Sequence, residues 1–72
     1  MSFSDDMSAI VTKIEALKAA YPGVIIHFST YETGSGTEYL VRYKVPESPV
    51  SLDASGTVTA VCDSLQDVID LA

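Results

Sequence analysis

Two runs of alternating polarity joined by a glycine-rich link constrain this chain more than anything else in it. Val24, Ile26, Phe28 and Thr30 share one face of an extended segment, and Tyr39, Val41, Tyr43 and Val45 share one face of the next. A period of two marks a strand with one buried and one open side. The link Glu32-Thr33-Gly34-Ser35-Gly36-Thr37 has the composition of a hairpin turn. Side-chain parity then limits the register. A loop of Gly34-Ser35 sets Phe28 opposite Val41, Ile26 opposite Tyr43 and Val24 opposite Val45. A longer loop closing on Thr33 and Glu38 keeps the same parity. A slip of one residue sets Phe28 against Arg42 and mixes the faces, which a half-buried sheet does not tolerate.

The flanking segments complete the expected fold. Upstream, Met7, Ile10, Val11, Ile14, Leu17 and Tyr21 recur at helical spacing. Ser4 is placed to cap that helix, Asp5 and Asp6 favour its first turn, and Pro22-Gly23 stops it. Lys13 and Lys18 fall on its polar side. Downstream, Pro46 and Pro49 bracket a bend, because proline cannot donate to a ladder. The run Val50 to Ala60 reads as a second hairpin, with Asp53-Ala54-Ser55-Gly56 as its turn and Gly56 in a left-handed bulge position. That register pairs Leu52 with Val58 and Val50 with Ala60. A short closing helix is expected after Asp63 or Ser64 as cap, with Gln66 or Asp67 completing a capping box and Leu65, Val68, Ile69 and Leu71 on its apolar side. The expectation is one α+β domain over residues 1–72. Its order is α-β-β-β-β-α, a four-stranded antiparallel meander with both helices packed on one face.

Length sets the energetic frame. The chain has 72 residues, and a core of that size rarely contributes more than roughly 3–5 kcal/mol of net stability. Small domains often add a disulfide, a metal or a second subunit. Cys62 is the only cysteine and His27 the only histidine, so an internal disulfide and a Cys/His zinc site are not expected. No cofactor is expected either. Self-association, as a homodimer, is the remaining way to add stability.

The N-terminal residues lack a basic start followed by an apolar run, and Val24-Ile25-Ile26 is far too short to span a bilayer. With a free thiol, this points to a cytoplasmic setting. Ten acidic and four basic side chains give a formal net charge of −6. Direct nucleic-acid binding and membrane binding are disfavoured, since both need clustered Lys and Arg. Another protein, with a basic surface, is the better match.

Catalytic arrangements are sparse. His27 lies mid-strand and Cys62 near the end of the expected fourth strand, about two strands away, so a Cys–His dyad would need an unusual sheet order. Asp5 and Asp6 are explained as helix-start charges. Asp63, Asp67 and Asp70 share one helix edge, whereas magnesium and calcium sites gather oxygens from loops or substrate phosphates. Gly34-Ser35-Gly36 runs strand to strand beside Glu32 and Glu38, which disfavours an anion. The chain is not expected to be an enzyme.

Two surfaces remain. If the helices cover the Val24, Ile26 and Phe28 side, the opposite face carries Ile25, His27, Ser29 and Tyr31, then Glu38, Leu40, Arg42 and Lys44, then Ser51, Thr57, Thr59 and Val61. Of these, Ile25, His27, Tyr31, Leu40, Arg42 and Lys44 form the expected partner-binding set, since aromatic residues and arginine are enriched in interfaces. The second surface is an acidic patch of Asp5, Asp6 and Glu15 with Asp63, Asp67 and Asp70, if the two helices lie side by side. The expected function is a small acidic protein-binding domain. It would act as an inhibitor or adaptor that occludes a larger assembly, of the general size and charge of phage or mobile-element anti-defence proteins. A structural homo-oligomer and an acidic nucleic-acid mimic are the alternatives.

Overall fold

A computed structural model describes residues 2–46 and 51–72, with Ser51 described by its backbone alone. The first helix, α1, spans Phe3–Ala20. Its cap is Ser2 instead of Ser4: the Ser2 hydroxyl accepts from the Asp5 N–H at 3.2 Å. This satisfies one of the amides that a helix start leaves unpaired. Two residues can each cap a helix placed two positions apart, so the serine spacing alone did not fix the start. Ile10 and Leu17 are fully buried, while Val11 is 43% exposed, so the apolar stripe is narrower than the periodicity indicates. The chain leaves α1 through Tyr21 and Pro22, and Gly23 turns it at a φ of 88°.

The hairpin follows the expected parity. Strands β1 (Ile25–Thr33) and β2 (Gly36–Lys44) pair antiparallel with Phe28 opposite Val41 and Ile26 opposite Tyr43. The ladder runs to Thr33 and Gly36, which fixes the shorter loop, Gly34-Ser35. The Thr33 hydroxyl steadies it by donating to the Gly36 carbonyl at 2.9 Å and accepting from the Ser35 N–H at 3.1 Å.

The expected fourth strand is replaced by a helix. Strand β3 spans Ser51–Gly56 and pairs with β2, Val41 facing Ala54 and Tyr43 facing Leu52. The second helix, α2, then covers Val58–Asp70. Residues Asp53 to Gly56 stay extended, so they make no hairpin turn. Leu52 pairs with Tyr43 and not with Val58; Pro49 and Val50 lie outside the described residues. The physical reason is periodicity. Val58, Val61, Cys62, Leu65, Val68 and Ile69 fall on one helical stripe, and Val61 and Leu65 are fully buried by it. The Thr57 side chain caps the helix, accepting from the Ala60 N–H at 3.2 Å. Asp63 and Ser64 therefore lie inside α2, not at its start. The described architecture is α-β-β-β-α, with two helices and a three-stranded antiparallel sheet in the order β1-β2-β3.

Helix α2 packs on β3 and β2, and α1 packs along α2. The two helices point the same way. Lys13 Nζ donates to Gln66 Oε1, and further along both helices the Tyr21 hydroxyl donates to the Val68 carbonyl at 3.0 Å. The buried core consists of Ile10 and Leu17 from α1, Tyr39, Val41 and Tyr43 from β2, Ala54 from β3, and Val61 and Leu65 from α2. Strand β1 adds only partly buried side chains, among them Ile26 and Phe28.

Candidate functional site on the open sheet face

With the helices on one side, strand alternation turns the odd-numbered residues of β1 and the even-numbered residues of β2 to the other. The register sets Ile25 opposite Lys44, His27 opposite Arg42, Ser29 opposite Leu40 and Tyr31 opposite Glu38. All six expected binding residues, Ile25, His27, Tyr31, Leu40, Arg42 and Lys44, thus fall on one face. No described element packs over it. Ile25 is 68% exposed and Tyr31 43% exposed. A shallow depression of about 240 Å³ is lined by Ile25, His27, Arg42 and Lys44, with Tyr43 between the last two.

The third strand changes the composition of this face. Asp53 lies opposite Arg42 and Ser55 opposite Leu40. Arg42 Nε donates to Asp53 Oδ1 at 3.1 Å and Nη2 to Oδ2 at 3.4 Å. An exposed pair of this kind adds at most about 1 kcal/mol, and often nothing measurable. Its effect is directional: the forked contact orients the guanidinium toward β3, across the strand from His27. The Tyr31 hydroxyl reaches Glu38 Oε1 at 3.4 Å, and partial desolvation, then the Glu38 charge and that contact, push the phenol up from its ordinary value. Asp53 and Ser55 join this face because the residues expected to form a turn are extended in β3. Thr57, Thr59 and Val61, assigned to this face, belong elsewhere: Thr57 is the α2 cap, Thr59 lies in α2, and Val61 is fully buried in the core.

The face is close to electrically balanced. Arg42 and Lys44 are offset by Glu38 and Asp53. Most of the excess negative charge therefore sits on the helix side, where three of the carboxylates have local partners. The Asp6 carboxylate accepts from the Tyr39 hydroxyl at 3.0 Å, Glu15 pairs with Lys18 at 3.5 Å, and Asp70 accepts from Gln66 Nε2 at 2.8 Å. Lys13, Asp63 and Asp6 all act on the Cys62 thiol. Asp5 and Asp67 are exposed on the first turn of α1 and on α2.

Cys62 is half-buried on α2. Burial, reinforced by Asp63 and Asp6 and opposed by Lys13, pushes its thiol up. A thiol held in the protonated form is a weak nucleophile. His27 lies on the far side of the sheet, so the two residues are held apart by a layer of structure. Among the described residues, no group of three or more His, Cys, Asp and Glu side chains is arranged to hold a metal ion, and no helix is long and apolar enough to cross a membrane.

No protein-family model, curated protein or solved structure matches this chain.

Proposed function

We propose that this protein is a small binding domain that docks the open face of its sheet onto another protein. It acts as an inhibitor or adaptor by covering part of a larger assembly, in the cytoplasm. The observation that carries this reading is the exposure of Ile25 and Tyr31 on a face that also gathers Leu40 and a forked Arg42–Asp53 pair. Burying Tyr31 and Ile25 against a partner removes apolar surface from water at about 25 cal/mol per Å². Arg42 enters that contact already oriented, so less side-chain freedom is lost on docking. Lys44, beside Ile25, adds a point charge suited to a carboxylate on the partner.

A mimic of nucleic acid is less well supported. Such a surface needs a dense and continuous row of negative charge, whereas Lys13 and Lys18 interrupt the carboxylates of the helix side.

Capture from a lysate of the source cells, with three forms of the protein compared, tests the reading. The double variant Tyr31→Ala/Arg42→Glu is expected to lose a partner that the wild type retains, and Asp63→Asn/Asp67→Asn/Asp70→Asn is expected to retain it. The opposite pattern would move the contact to the helix side. Identical capture by all three forms would exclude both surfaces.

A further inference from the structure

In the order β1-β2-β3, β1 gives one edge to β2 along all of Ile25–Thr33. Among the described residues no strand pairs with its other edge. An unpaired edge is a template for another strand, and proteins blunt it with lysine, proline, bulges or short length. β1 has none of these: its ladder to β2 is unbroken over nine residues, and its sequence, IIHFSTYET, holds no lysine or proline. The other outer strand, β3, is shorter at six residues and carries Asp53.

The core also stops short at this edge. Val41 and Tyr43 are covered, whereas Phe28 and Ile26, directly opposite them on β1, are only half-buried. Apolar side chains at the rim of a core gain from a further strand.

We propose that the free edge of β1 pairs antiparallel with β1 of a second copy, joining two three-stranded sheets into one of six strands. The strand is its own complement. With a twofold axis at Phe28, that residue meets its own copy, Ile26 meets Thr30, His27 meets Ser29, and Ile25 meets Tyr31. Residues of the helix side meet only residues of the helix side, as parity demands. Ile25 and Tyr31, both well exposed on the single chain, become cross-strand neighbours and shield one another.

Charge also favours a second copy here. Residues 25–31 contain no Asp, Glu, Lys or Arg, so two chains of net charge −6 can approach along this strip. Glu32 stands four residues from the axis. Its two copies therefore lie roughly 27 Å apart at about 3.4 Å per residue, well beyond a screening length of about 8–10 Å. Contact through the helix side would instead set carboxylates against carboxylates. Pairing at this edge draws on the flanks of Ile25 and Tyr31 but leaves Arg42 and Lys44 of the open face free.

Sedimentation of the full chain over a concentration series, from micromolar to near-millimolar, tests the proposal. The wild type is expected to shift from monomer to dimer mass. Thr30→Lys, at an exposed position on the edge, is expected to weaken dimerisation at least tenfold with the circular dichroism unchanged, whereas Arg42→Glu leaves it unchanged. A mixed sample of isotope-labelled and unlabelled wild-type protein gives a variant-free check: nuclear Overhauser contacts between copies are expected from Phe28 to Phe28 and from Ile25 to Tyr31. A monomer at every concentration overturns the proposal. So does a dimer that Thr30→Lys leaves intact, or one whose contacts between copies arise from the helices.

Discussion

Tyr39 ties three parts of the fold together. Its ring stacks on Phe3 at 6.3 Å and meets Phe28 at 6.5 Å, and its hydroxyl donates to Asp6 at 3.0 Å. Alternation along β2 was enough to place Tyr39 on the covered side. Its partner was not legible, because Asp6 lies 33 residues away and had a sufficient local reason to be acidic at a helix start. The contact has a consequence at high pH. Burial, then the Asp6 hydrogen bond and charge, then Glu32, raise the Tyr39 phenol above its ordinary value of 10.0. Tyr31 and Tyr43 shift in the same direction. A raised acid is held neutral by the fold, so its contribution is intact below about pH 10 and is lost as pH climbs from there through the folded value. Thermal melts should therefore be insensitive to tyrosine ionisation near neutrality and fall in midpoint above about pH 10. Titration of tyrosinate absorbance checks the cause: Asp6→Asn should move one tyrosine to lower pH. No such movement would remove Asp6 from the explanation.

At the scale of elements, the two halves of the chain were unequally legible. The β1–β2 hairpin was readable because its information is local: two alternating runs and a glycine link leave few registers that keep the faces apart. The junction of β3 and α2 was not, because Val58, Thr59 and Val61 are β-branched and follow a segment that resembles a turn. Such residues disfavour a helix only weakly, and packing overrides the preference. The signal that decides is the apolar stripe from Val58 to Ile69, together with Thr57 as cap. A helix capped at Asp63 or Ser64 starts six or seven residues too late and takes in only the second half of that stripe. Gly56, at a φ of 120°, makes the abrupt change of direction between strand and helix. Thr57→Ala removes the acceptor for the Ala60 N–H and should cost about 1 kcal/mol. In a domain of this size that corresponds to a fall in Tm of roughly 4–8 °C. Thr57→Ser keeps the oxygen and should lose far less; equal losses from both changes would show that the cap is not the cause.

Over the whole molecule, net charge proved a blunt guide. The value of −6 directs attention to the carboxylates, yet Asp6, Glu15 and Asp70 on the helix side each engage a local partner. Composition carries no information about which charges share a surface; that required the strand register. The helix seam carries a different consequence, one of folding order. Its contacts join residues far apart in the chain, 53 positions for Lys13–Gln66 and 47 for Tyr21–Val68. The hairpin closes through a loop of only Gly34-Ser35. Bringing distant ends together costs more entropy than closing a short loop. The sheet with α2, whose segments are consecutive in sequence, can therefore assemble before α1 docks. In native-state hydrogen exchange, α1 amides should form a separate unit that opens at lower free energy than the central strand β2. Equal opening energies for both would mean that the seam breaks only with the sheet. If α1 opens first, as expected, a helix made first in the chain is the last to take its place and the first to leave it.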